Sequence, residues 1–231
     1  MGRPKNYYVI LDTETANSVE QPLPYDIGWV ICDRNGNIYE ERSFVVAEVF
    51  YDMSDLMQSA YYAQKLPQYF EDIKNGNRIV APMWKIRRAL KADMENYNTN
   101  KVGAYNMGFD RRALNNLIRY VSKSWARWFF PFGTEFFDVW NVACELLMAR
   151  PSYEKFALEN GLVTANGNLQ TSAEAAYRYI TKDSEFVESH TGLEDCKIEA
   201  AIFAKCVSQH KKMNTEIDSH CWRKVQKARK K

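Results

Sequence analysis

The chain has 231 residues, of which 46% are hydrophobic, 14% aromatic and 26% charged, with a formal net charge of +2. That composition excludes a disordered chain, the length suits one sizeable core, and no apolar run approaches the ~18 residues of a membrane span. The expectation is a soluble, membrane-free protein of one domain with a C-terminal extension. It is cytoplasmic by default, because the early apolar stretch is too short for a secretory h-region and Met1-Gly2 is not followed by the Ser or Thr of a myristoylation motif.

Tyr7 to Leu11 is apolar or aromatic without a break, as in a strand covered on both faces, and runs straight into Asp12-Thr13-Glu14-Thr15. Successive strand residues face opposite ways, so Asp12 and Glu14 share a face. Two like charges there repel each other and lose hydration, which disfavours the fold unless a cation sits between them. The economical reading is a divalent metal site.

Tyr25 to Cys32 reads as a second strand, Asp33 to Asn37 as a turn around Asn35-Gly36, and Ile38 to Val46 as an antiparallel return, giving a three-stranded meander. Residues 48–77 are aromatic and irregular, with Tyr51, Tyr61, Tyr62, Tyr69 and Phe70 read as a packing face rather than a base-stacking platform. From Pro82 the residues Met83, Ile86, Leu90, Met94 and Tyr97 keep one helical face apolar.

Val102 to Tyr105 is a short strand, and Asn106 to Asp110 turns it into a helix with Leu114, Leu117, Ile118 and Val121 as its buried stripe. Asp110 either caps that helix or presents a carboxylate where the strand ends. Phe136 to Val142 is a strand-to-helix join with Asp138 at the transition, and helix continues over Cys144 to Met148 up to the Arg150-Pro151 stop. Short helices follow over Tyr153 to Asn160 and from Thr171 or Ser172 to about Ile180. A last long helix starts near Thr191, and its apolar pattern continues through Ile217, Cys221, Trp222 and Val225 into the tail.

Five cysteines without a C-x-x-C pair argue for reduced thiols. Cys206, His210, His220 and Cys221 match no common zinc-finger spacing, so the reading there is a helix with scattered polar positions. Residues 205–231 hold nine Lys/Arg against Glu216 and Asp218, a surplus of +7 that leaves −5 for the rest of the chain.

Three segments now stand in order: Asp12-x-Glu14 in a buried strand, Asn106-x-x-Phe109-Asp110 at a strand-to-helix turn, and His190-x-x-x-x-Asp195 opening the last helix. Together they resemble the DEDDh superfamily of 3′-to-5′ exonucleases, a group that includes polymerase proofreading subunits and RNase T, and the resemblance spans about residues 7–207. It implies an α/β, RNase H-like fold: a mixed five-stranded sheet in which an antiparallel meander precedes parallel strands, with helices on both faces. The exonuclease domain would cover residues 1–207, and residues 208–231 would form a basic, helical C-terminal extension.

The resemblance also implies roles. Asp12 would bridge two divalent ions, Mg²⁺ or Mn²⁺; Glu14 and Asp195 would complete the shell of the first, Asp110 would hold the second, and His190 would be the general base. Thr13, Thr15, Asn106 and Phe109, which stand within or beside these motifs, would contact substrate.

Oxygen ligands suit those hard cations, and an unperturbed imidazole accepts a proton near neutral pH. The expected activity is hydrolysis of single-stranded DNA or RNA 3′ ends to nucleoside 5′-monophosphates, DNA slightly favoured. The basic tail is expected to contact nucleic-acid backbone or dock a polymerase or other protein partner. The alternative is an inactive RNase H-like module that binds nucleic acid or protein.

Overall fold

The computed structural model describes residues 6–58, 60 and 63–230. Tyr61 and Tyr62 of the aromatic set lie outside them. Six strands form one sheet: β1 (Tyr7–Ala16), β2 (Leu23–Asp33), β3 (Ile38–Val46), β4 (Ile79–Ala81), β5 (Lys101–Ala104) and β6 (Glu135–Asp138), in the order β4-β3-β2-β1-β5-β6. β1 to β3 are the expected antiparallel meander, in which the Asp33 carboxylate closes the hairpin by accepting from the backbone N–H groups of Asn35 (2.8 Å) and Asn37 (3.1 Å). β5 adds to β1 and β6 to β5, both parallel.

The sheet has six strands where five were expected. The extra one, β4, pairs parallel with the end of β3. Its three residues are too short to show an alternation, and Ile79 at its start is exposed, so nothing in the local pattern marks it.

The helices are α1 (Ala47–Phe50), α2 (Ser54–Gln58), α3 (Leu66–Lys74), α4 (Met83–Asn96), α5 (Met107–Ser122), α6 (Val139–Ala143), α7 (Pro151–Glu159), α8 (Ala173–Thr181), α9 (Gly192–Val207) and α10 (Trp222–Arg229). They cover both faces of the sheet, and strand parity sorts the core between them. Val9 and Leu11 of β1, with Ile27, Trp29 and Ile31 of β2, point into a core closed by α4 and α5. Ile10, Val30 and Cys32 point the other way, into a core built from α6 to α10. β2, between two strands and beneath helices on both sides, is buried along its whole length.

Two helical expectations need amendment. Residues Cys144–Met148 continue α6 as a π-helical turn rather than a regular α-helix. The last helix does not run unbroken into the tail: α9 stops at Val207, residues 208–221 are non-helical apart from turns, and α10 resumes at Trp222.

The tail nevertheless belongs to the second core. Cys221 and Val225 are buried there, and Gln226 exchanges two hydrogen bonds with the backbone of Leu169 (3.1 and 3.0 Å). In the 48–77 stretch, Tyr69 is buried while Tyr51 and Phe70 stay exposed around Phe50. No helix among the described residues is long and apolar enough to cross a membrane.

Candidate active site

The parallel pairing of β1 with β5 runs only over Val9 and Ile10, so Asp12 and Glu14 lie beyond it, paired on the other side with Gly28 and Asp26 of β2. The region past the carboxyl ends of parallel strands is where open α/β sheets accept ligands. Glu14 is buried and Asp12 half-buried. Burial raises the Asp12 carboxyl well above its usual range, and the charges of Glu199, Asp110, Glu14 and Asp195 push it further. Burial, with Asp26 next, lifts Glu14 to about 8.

Asp110 enters from the first turn of α5, buried, and accepts a hydrogen bond from the Thr13 hydroxyl at 2.8 Å. Burial lifts it to about 7 against the opposing effect of that hydrogen bond. The turn that delivers it holds Asn106 in the left-handed region (φ 77°), a conformation Asn tolerates better than most residues. Asp138 braces this turn: its Oδ1 accepts from the backbone N–H of Asn106 (3.3 Å) and from Trp140 (2.9 Å) and Asn141 (3.3 Å) at the start of α6. Asp138 is therefore a helix cap that ties two loops together.

α9 carries Asp195 in its first turn, and the start of that helix is fixed by close backbone approach. A Cβ on Gly28 would stand 2.3 Å from Gly192 C and Leu193 N, so only glycine lets β2 and α9 touch there. The Gly192 N–H donates to Asp26 Oδ2 (3.1 Å), which also accepts from Tyr69 (2.6 Å) and Arg78 (3.0 Å). Arg78 reaches Asp72 (3.1 Å) and Glu194 (3.4 Å) as well. The aromatic insert and β4 thus anchor the His190–Asp195 segment.

Glu14, His190 and Asp195 offer ligand atoms that all lie within 4.8 Å of one another. His190 sits at φ 50°, half-buried, 3.8 Å from Glu188. Burial and then the Lys65 charge lower its pKa, which keeps the imidazole neutral at neutral pH. Asp195 rises to about 8 through burial and the charges of Glu188 and Glu14. Glu188 itself rises to about 7, and with Glu174 and His190 it makes a second group of ligand atoms within 4.8 Å.

Two participants were not anticipated. Glu199 stands one turn beyond Asp195 on α9, buried, and accepts from the Tyr105 backbone N–H at 3.0 Å. Burial and the Asp110 charge hold its carboxyl well above the usual range. The i+4 spacing from Asp195 on the face turned toward β1 could have revealed it. Lys65, in the 3₁₀ turn before α3, donates to the Ser189 carbonyl, and its charge acts on Glu14, Glu188 and Asp195.

Of the four residues expected to contact substrate, Thr13 is engaged with Asp110 and Asn106 forms the turn. Thr15 is half-buried near the end of β1, and Phe109 lies half-buried under the Arg112 guanidinium, 5.4 Å from ring centroid to Cζ. Cys206 and Cys221 are buried in the second core while His210 and His220 are exposed, and the four form no ligand group among the described residues.

No protein-family model matches the chain, and no curated protein sequence matches it significantly. Solved structures do match. A product-bound exonuclease I aligns over 89% of this chain with a TM-score of 0.52 and 15% identity. The zinc-bound form of an E. coli exonuclease I complex with single-stranded DNA aligns over 90%, with a TM-score of 0.52 and 12% identity. The alignments cover 44% and 41% of those chains, so this chain spans less than half the length of either. Over that span, the mixed sheet and its flanking helices have the fold of exonuclease I.

Proposed function

We propose that this chain is a metal-dependent 3′-to-5′ exonuclease that hydrolyses single-stranded nucleic-acid ends, DNA ahead of RNA, to nucleoside 5′-monophosphates. The observation that carries the reading is the convergence of Asp12, Glu14, Asp110, Asp195 and Glu199 at the carboxyl end of β1, each with its carboxyl pushed up by burial. Such a cluster is unfavourable by itself and becomes favourable around cations. Exonuclease I supplies a fold precedent, and its zinc-bound, single-stranded-DNA complex weighs toward a divalent metal and toward DNA.

The donor set is oxygen-rich with one imidazole, which fits Mg²⁺ or Mn²⁺. Asp12, Glu14, Asp110 and Asp195 would hold the ions, with Glu199 as a further carboxylate facing Asp12. Bound there, divalent cations supply charge to offset that building on the phosphoryl and leaving 3′ oxygens. The chain's own groups do the rest. Neutral His190 takes a proton from the water whose oxygen attacks phosphorus, the P–O3′ bond breaks, the shortened strand leaves with a 3′ hydroxyl protonated from water, and Thr13 holds Asp110 in place. In this reading the catalytic unit ends near residue 207, and the tail from 208 braces it through Cys221, Val225 and Gln226.

The test is digestion of 5′-labelled single-stranded DNA and RNA with Mg²⁺, Mn²⁺ or EDTA. A ladder shortening from the 3′ end, present only with metal and lost in Asp12→Ala, is the expected result. Undegraded substrate under every metal would leave the inactive binding module as the better account.

A further inference from the structure

Two basic residues of the tail are engaged by the protein itself. Lys224 meets Asn141 and Glu145, and Arg229 meets Glu154 and the Gly167 carbonyl. Residues 111–132, in contrast, contain Arg111, Arg112, Arg119, Lys123 and Arg127 and no Asp or Glu.

This segment combines the charge with uncovered aromatic rings. Tyr120 is 53% exposed, Trp125 83% and Trp128 54%. Isolated exposed apolar residues are ordinary, whereas a set of large rings in one short stretch marks an interaction surface. The Arg119 guanidinium lies between the two indoles, 5.6 Å from Trp125 and 5.1 Å from Trp128, and its Nε is buried without a hydrogen-bond partner among the described residues.

The surface lies along the same helix that carries Asp110. Phe109, Arg112, Asn116, Tyr120 and Lys123 follow helical spacing along one side of α5, and the helix begins its stripe beside Asp110. From Phe109 to Lys123 that stripe is about 21 Å long at 1.5 Å per residue. The loop after β1 forms the facing wall. Arg112 donates to the Val19 carbonyl (3.2 Å) and Asn116 to that of Pro22 (3.2 Å). Between the walls runs an open groove of about 740 Å³, lined by Arg119, Tyr120, Lys123 and Trp125 on one side and by Asn17 and Glu20 on the other. The two walls thus adjoin elements that carry site carboxylates, Glu14 on β1 and Asp110 on α5.

We propose that the groove lined by Arg119, Tyr120, Lys123 and Trp125, with Trp128 packed against Arg119 at its edge, holds the single strand upstream of the 3′ end, by stacking bases on exposed rings and pairing phosphates with Arg119 and Lys123. The inference rests on the exonuclease reading for the polarity of the strand. Charge and aromatic rings together favour nucleic acid over a protein partner, because flat rings accept any base while the cations follow the backbone.

The test compares the wild-type chain with Trp125→Ala/Trp128→Ala and with Arg119→Ala, all held to an unchanged thermal midpoint. Affinity for a 5′-fluorescein oligo(dT) of about six to ten nucleotides beyond the site is read by anisotropy in EDTA, and KM is read separately on trinucleotides and on that long strand with Mg²⁺. The double variant should lose affinity roughly 10- to 100-fold and raise KM on the long strand alike, with KM on trinucleotides unchanged. Equal binding by wild type and variants, with digestion intact, overturns the groove and leaves the exonuclease standing. Loss of binding in the variants from a wild type that never cleaves keeps the groove and removes the hydrolysis. Unchanged oligonucleotide affinity together with loss of self-association in sedimentation would assign the surface to a second copy of the chain.

Discussion

Two sets of buried carboxylates in this molecule have opposite surroundings. Asp26 has Arg78 at 3.0 Å and the Tyr69 hydroxyl at 2.6 Å, and Asp93 has Arg42 at 3.0 Å and the Trp29 indole N–H at 3.0 Å. Their charges are answered within the fold, and each ties distant elements together. Asp12, half-buried, is the reverse: the charged neighbours that shift it most, Glu199, Asp110, Glu14 and Asp195, are all carboxylates. The same residue type is thus structural where the chain supplies a cation and, in the proposed reading, functional where it leaves the charge to be met from outside.

The difference can be broken at either end. Asp12→Ala should cut turnover by about 10³-fold or more, since it removes the proposed bridging ligand, while the metal-free fold stays at least as stable. Melting and turnover measured together would decide the matter, because a collapsed fold would place Asp12 with Asp26. Arg78→Met should do the converse and destabilise by about 3–5 kcal/mol through the uncompensated Asp26 charge, read from a denaturant midpoint. An unmoved midpoint would mean that Tyr69 and Gly192 hold Asp26 without the arginine.

His190→Ala should lower the rate about 10²-fold and erase the low-pH limb of the profile. The base must be neutral, and burial with Lys65 lowers its pKa, so that limb falls below the usual imidazole value of about 6.5. A limb that survives in the variant belongs to another group.

A further effect is on stability against pH. Unfolded carboxyls titrate near 4, whereas folded Glu14, Asp110 and Asp195 titrate at about 8, 7 and 8. Between those limits the native chain holds more protons than the unfolded one, so in EDTA stability falls as pH rises from about 4 to about 8. The melting temperature should drop by roughly 5 °C or more across that window, and millimolar Mg²⁺ should flatten the slope. A midpoint in EDTA that rises with pH would contradict the assignment.

The positions of the candidate carboxylates were legible in part. Asp110 and Asp195 each open a periodic helix as the local pattern indicates, whereas Asp12 and Glu14, expected where a strand ends, lie inside a strand that runs on to Ala16. Glu199 was only weakly signalled: its i+4 spacing from Asp195 puts both on one face of the helix, but that this face is buried shows only once the facing strand is known. Lys65 was hidden for a similar reason. It comes from an irregular insert whose position over the site depends on Tyr69 and Arg78 gripping Asp26, contacts with no sequence period. The role of the tail was half legible: its apolar positions stood out, but nine basic residues suggested a surface, while Cys221 and Val225 among them complete the second core.

The division of the sheet between two cores has a consequence for how the chain is made. The first core draws its buried members from residues 9–130, whereas the second needs Ile10, Val30 and Cys32 together with residues 137–225. A ribosome adding about 5–20 residues per second takes roughly 5–20 s over that last stretch. For that interval the sheet is covered on one side only, with its other apolar side bare, which is when a nascent chain is most exposed to aggregation and most in need of a chaperone.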